Sequence, residues 1–219
     1  MKKQYRALYA ASARTAALVE VPELLFLVID GQIEEGSTPG TSAAFQLAVE
    51  TLYGAAYTLK FMSKLRKAKA IDYPVMPLEA IWWVEDGKFE LSKPDRWRWR
   101  AMILQPGHIT AETLAEATAK LRTKKPALAL DALRLVKDQE GLCVQMLHVG
   151  SYATEPVTVA RMAAFAAEQG LRERHELDHR DGQRLVHDHH EIYLSDPGRT
   201  AAGKLKTILR RPVIRAGTA

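Results

Sequence analysis

The sequence predicts an α+β fold in which one β-α-β-β module occurs twice in tandem, around a pseudo-two-fold axis with a ligand cleft on it. Three observations predict it. The order strand, long helix, strand, turn, strand runs through the chain twice. Short echoes fall at matching places in the two runs: Asp86-Gly87 with Asp196-Pro197-Gly198, Met102–Pro106 with Ile208–Pro212, and Ile29-Asp30-Gly31 with His148-Val149-Gly150. The 219 residues, 47% hydrophobic and 26% charged, are those of a chain that packs a core. The whole chain, 1–219, reads as one domain, with module one over about 19–106, a helical connection over about 110–125 and module two over about 133–213.

Each element follows from local pattern. Val19–Gln32 is rich in branched and aromatic residues and closes on Asp30-Gly31, so it reads as a strand. Residues 33–40 carry Gly, Ser and Pro and form a loop. Thr41 or Ser42 then caps a helix to about Leu65. Its stripe of Phe45, Val49, Leu52, Ala56, Leu59 and Met62 or Phe61 steps by three and four, with Tyr53 and Tyr57 beside it. Tyr73–Val84 and Trp97–Gln105 are strands that pair across a turn at Glu85-Asp86-Gly87. Thr110 caps a second helix, which reaches Lys124 and is stopped by Pro126. Leu133–Val149 reads as a short hairpin turning at Asp138–Gly141. Glu155–Gln169 is a helix ended by Gly170, and Leu171–Asp188 a charged, exposed connection. His189–Ser195, the turn Asp196-Pro197-Gly198 and Lys204–Val213 complete the second module.

Composition narrows the function classes. The net charge of +5 arises from 31 basic residues interspersed with 26 acidic ones, which reads as solvated faces, the alternative being a basic surface that steers anions or meets RNA. The stretch Glu23–Ile29 is too short to span a bilayer, and no signal core follows the basic N-terminus. With Cys143 as the one cysteine there is no internal disulfide. A cytoplasmic protein is the expectation. No Walker loop or GxGxxG is present, so no nucleotide cofactor is expected. His175, His179, His187, His189 and His190 cluster, but without HExxH or CxxC spacing, and adjacent His189 and His190 point to opposite strand faces; no metal is expected.

Two groups of residues can carry chemistry. Along His189–Ser195, one face holds His189, Glu191 and Tyr193, while the other holds His190, Ile192 and Leu194, the last two core-directed. A carboxylate beside an aromatic ring holds a cation, or acts as a general acid or base when burial raises its pKa. The other reading of that face is plain solvent surface or an ion pair. The second group is Trp82, Trp83, Trp97 and Trp99, all four tryptophans of the chain on two paired strands. Trp83 shares a face with Ile81 and Glu79, Trp82 points the other way, and Trp97 and Trp99 share a face. They serve core packing or a wall that stacks a planar ligand.

Val75–Trp83, Trp97-Arg98-Trp99 with Met102-Ile103 and Gln105-Pro106, His148–Tyr152, and His189–Pro197 leading into Lys204–Leu209 form a set that resembles the GyrI-like small-molecule-binding family, in its stand-alone bacterial type. The resemblance covers about Tyr5 to Val213. It implies the duplicated β-α-β-β fold of the ligand domains of multidrug-sensing regulators, and a central glutamate in an aromatic cage, matched here by Glu191 with Tyr193 two residues on. The tryptophan motifs are similar to a subfamily that hydrolyses the strained cyclopropane of DNA-alkylating natural products. Trp82, Trp83, Trp97, Trp99, Glu79, Tyr53, Tyr57 and Tyr152 are then candidates to line the ligand site. The charged segment before His189 is longer than the family's short Gly-containing turn. The expected function is binding of aromatic or cationic xenobiotics, with hydrolysis of cyclopropane-bearing compounds. The alternatives are a non-catalytic sensor or sequestering protein, or an inhibitory partner of a larger enzyme. Too few residues precede Glu23 for a helix-turn-helix region, so no direct DNA binding is expected.

Overall fold

The computed structural model describes residues 1, 4–85, 89–91, 93–94, 97–174, 177–178, 184–185 and 189–215. In chain order the elements are α1 (Arg6–Tyr9), β1 (Ala17–Val21), β2 (Leu24–Gln32), α2 (Ala43–Lys64), β3 (Leu78–Trp83), β4 (Arg98–Gln105), α3 (Ala111–Lys124), β5 (Arg134–Asp138), β6 (Gly141–Val149), α4 (Glu155–Glu168), β7 (Leu171–Glu173), β8 (Leu177–Asp178), β9 (Arg184–Leu185), β10 (His189–Tyr193) and β11 (Lys206–Arg215). Among the described residues, nine strands form one antiparallel sheet in the order β1-β6-β11-β10-β3-β4-β2-β5, with β7 also on β11, and β8 and β9 pair separately. The fold is α+β, as expected.

The sheet is symmetric about its middle. Outward from the β3–β10 junction, one side runs β4, β2, β5 and the other β11, β6, β1. β1 followed by β2 recurs with identical lengths and spacing as β5 followed by β6. The expected single strand Val19–Gln32 is thus two strands broken at Pro22-Glu23, where proline supplies no N–H to a ladder. The expected hairpin over Leu133–Val149 does not form either: β5 pairs with β2, and β6 pairs with β1 and β11. Each leading strand crosses to the other module and extends that module's half of the sheet. The exchange buries apolar strand edges that two self-contained modules would leave open.

The registers also correct the repeat alignment. Carried inward through the ladders, the correspondence of β2 with β6 equates Ala80 with Glu191 and Trp82 with Tyr193. The sequence echoes pair Ile81 with Glu191 and Trp83 with Tyr193, one residue off. Echoes cannot set register where the connecting turns differ in length, and here one step exchanges the faces of the sheet. Ala80 is also the direct cross-strand partner of Glu191, so the pseudo-axis passes through that pair.

Both long helices cover the face that carries Glu191. Phe45 of α2 packs on Trp82 and Trp99. Leu209, opposite Glu191 on β11, packs with Met162 and Ala166 of α4. Ser42 caps α2 by accepting from Phe45 N at 3.1 Å, and Thr110 caps α3 by accepting from Thr113 N at 3.3 Å. Gly31, opposite Trp99, is required by close approach: a Cβ there would lie 2.2 Å from the Trp99 ring. The expected strand Tyr73–Val84 is ordered as a strand only from Leu78. Leu171–Glu173, expected as part of an exposed connection, is a strand on β11. His175, His179, His187 and the turn residues Asp86 and Gly87 lie outside the described residues. No helix among the described residues is long and apolar enough to cross a membrane.

Candidate active site

Strand alternation divides β10 between two buried polar systems. His189, Glu191 and Tyr193 share one face, as expected from alternation, and it is the face that the helices cover. His189 Nε2 lies 3.0 Å from Glu191 Oε1 and 3.3 Å from Glu155 Oε2. Glu155 is the first residue of α4, where an acidic side chain also meets the positive end of the helix. The Tyr193 hydroxyl donates to Glu191 and accepts from Trp82 Nε1 at 3.3 Å. Tyr152 stands edge-on to Tyr193, with centroids 6.1 Å apart. Phe89 stacks on the His189 ring at 5.5 Å, and an aromatic chain continues from it through Trp97, Trp82 and Phe45 to Trp99.

This cluster is nearly closed to water. Glu155 and His189 are fully buried, and Glu191 is 5% exposed. The more accessible members are Tyr193, partly buried, and Tyr152, 38% exposed. Among the described residues, Glu155 Oε1 and His189 Nδ1 have no hydrogen-bond partner. One oxygen each of Glu155 and Glu191 and one His189 nitrogen lie within 4.8 Å of one another, a donor set of the kind that holds a divalent cation.

Burial and crowding shift the protonation of these groups. Burial, reinforced by the Glu191 charge and only partly offset by His189, pushes Glu155 up to about 7. Burial alone would lower His189, but its hydrogen bonds to Glu155 and Glu191 outweigh this and raise it. Burial and the Glu191 charge hold the Tyr193 hydroxyl well above its ordinary range, and Tyr152 is pushed up to about 12 by burial and the same carboxylate. Near neutral pH Glu155 can therefore hold or release a proton beside Glu191, with the His189 imidazole between the two carboxyls.

The opposite face carries a second network. His190 Nδ1 meets Glu140 at 2.9 Å and its Nε2 meets Glu79 at 3.1 Å. Tyr9 donates to Glu79 at 2.5 Å, and Arg210 pairs with Glu140 at 3.1 Å while donating to the Leu8 carbonyl. This network ties the N-terminal segment to the sheet.

Of the predicted site residues, Glu191, Tyr193, Trp82, Trp97, Trp99 and Tyr152 are brought together. Trp83 and Glu79 are not, because alternate strand positions put them on the opposite face, where Glu79 serves His190. Tyr53 lies along α2, its hydroxyl accepting from Leu78 N–H, and Tyr57 is 49% exposed further along the helix. Leu194, expected in the core, is 38% exposed beyond the end of β10. Sequence reasoning missed Glu155, Phe45 and Phe89. Glu155 carried one weak signal, an acid at a helix start soon after a strand; Phe89 carried none.

No protein-family model matches the chain, and no curated protein matches it significantly. Solved structures do. An uncharacterized conserved protein from Listeria innocua is 40% identical over 97% of this chain and 98% of its own, with a TM-score of 0.83. Two Listeria innocua proteins described as hydrolases are 38% and 36% identical over the same shares, with TM-scores of 0.81 and 0.79. The chain belongs to the family of these Listeria innocua proteins. Membership in this family concerns both halves of the sheet, since the shared part is 97% of the chain.

Proposed function

We propose that the protein is a small-molecule hydrolase of the GyrI-like type, acting on planar xenobiotics that carry a strained electrophilic ring, such as cyclopropane-bearing DNA-alkylating compounds. The observation that carries this reading is the buried Glu155–His189–Glu191 cluster beneath an aromatic wall. Trp82 and Tyr193 would flank the planar ligand, with Tyr152 edge-on to Tyr193. Glu191, held by Tyr193 and His189, takes a proton from water. The water oxygen bonds to the ring methylene, the strained C–C bond breaks, and its electron pair moves to a conjugated carbonyl oxygen. That oxygen gains a proton from solvent and Glu191 returns its own, so the net reaction is addition of water. Glu155 keeps a proton near neutral pH, which spares the pocket a second buried negative charge. The hydrolase descriptions of two relatives agree with this reading.

Glu191→Gln tests it. With a cyclopropane-bearing substrate followed by mass spectrometry, the rate should fall about 10²- to 10⁴-fold, the usual weight of a general base. Unchanged hydrolysis would remove Glu191 from the mechanism. A second reading, sequestration without turnover, is favoured by the near closure of Glu191. It predicts that the ligand's mass stays constant in a stoichiometric complex.

A further inference from the structure

We propose that the groove between α2 and α3 docks an amphipathic helix of a partner protein, one whose apolar stripe is flanked by acidic residues. The inference is independent of the hydrolase reading. The core-facing side of α2 is complete, with Leu52, Ala55, Ala56 and Leu59 fully buried. Beside that stripe run Tyr57, Phe61 and Leu65, which are 49%, 50% and 73% exposed. They stand at i, i+4 and i+8, so they form a straight ladder over the last turns of the helix. Together with Thr58, Met62 and Leu121 they line a surface groove of about 480 Å³ against α3.

The groove's shape and charge specify the occupant. An apolar ladder at helical spacing, flanked by a second helix, matches the ridge of a third helix. The polar rim consists of Arg66, Lys120, Lys124 and Glu116. Glu116 is paired with Lys120 at 2.6 Å, while Arg66 and Lys124 form no ion pair among the described residues. The rim is therefore net positive and complements an acidic helix. It also disfavours a second copy of this chain seated groove to groove, which would set positive rim against positive rim. The groove contains none of the Glu155–His189–Glu191 cluster.

The test uses the full-length protein and a fluorescein-labelled synthetic helix of about 20 residues, with leucines at i, i+4 and i+8 and glutamates on the flanks. A second peptide replaces the glutamates with lysines. The acidic peptide should bind by fluorescence polarisation and the basic one should not. Phe61→Ala and Lys124→Glu, both on the surface, should each weaken the acidic peptide by about tenfold with the thermal midpoint unchanged. Lys124→Glu should also strengthen the basic peptide. No binding of the acidic peptide, equal binding of both, or indifference to Phe61→Ala would overturn the proposal. So would self-association in light scattering that Phe61→Ala abolishes, which would assign the groove to a second copy.

Discussion

Replacing Glu155 with Gln should flatten the pH dependence of stability. Glu155 titrates from the ordinary 4.5 up to about 7, chiefly because burial penalises its charged form. A raised carboxyl binds more protons folded than unfolded between those two values. Its contribution to stability is therefore fully present below about 4.5 and is lost as pH rises through about 7. The rise from 4.5 to about 7 corresponds to about 3 kcal/mol lost between pH 4.5 and pH 8. Gln has the shape of the protonated acid and does not titrate. The variant should lack this loss, whatever constant offset the altered contact with His189 adds. His189, also raised, acts in the same direction, its contribution being present at acid pH and lost as pH rises, and it remains in the variant beside Glu191. Urea unfolding of both proteins from pH 5 to pH 8.5 reads the difference in slope. Parallel curves would mean that Glu155 ionises normally, and the acid–base pair would then have no physical basis.

Three further outcomes follow from named contacts. Arg210→Met removes the buried guanidinium from Glu140, which keeps His190, and releases the Leu8 carbonyl, so unfolding in urea should show a loss of about 3–5 kcal/mol. Gly31→Ala drives a methyl into the Trp99 ring and should cost about 1–3 kcal/mol, with the tryptophan near-ultraviolet dichroism altered because that ring must shift. Ala80→Val places two extra methyls directly opposite Glu191; a planar ligand should bind about tenfold or more weakly by calorimetry while the fold persists, and undiminished affinity would move the ligand site away from the pseudo-axis.

Much of the architecture was legible in the chain, and what was not shares one physical cause. The helices from Ser42, Thr110 and Glu155 were marked by caps, stops and three-four spacing, which are local properties. The exchange of β1 and β5 was invisible, because strand pairing is a long-range choice and Pro22 and Gly141 announce a break without naming the partner. For the site, alternation on β10 correctly put His189, Glu191 and Tyr193 on one face. Glu79 and Trp83 were lost to it because face membership across β3 and β10 depends on register, which short echoes misjudge by one residue. Glu155 could not be tied to Glu191, since the helix start and the strand meet only through the tertiary fold.

The duplication explains why the chemistry is lopsided. Two-fold symmetry brings Ala80 and Glu191 face to face on the axis, so one copy supplies the acid and the other only a methyl group. The same strand then serves two purposes on its two faces. On the back, Glu79 and Glu140 meet His190 and Arg210, two acids against two bases, in a network whose charges balance when His190 is protonated. On the front, His189 is the one basic side chain that Glu155 and Glu191 meet among the described residues. That face is one positive charge short when both acids ionise; burial first, and then the Glu191 charge, raise Glu155, which keeps a proton in place of a missing cation. Stability argues for the balanced arrangement and function for the unbalanced one: a buried site that must accept or donate a proton has to hold a group whose charge is not already settled by its neighbours. The back network fixes β10 in register, and the front cluster is left able to titrate on the strand so held.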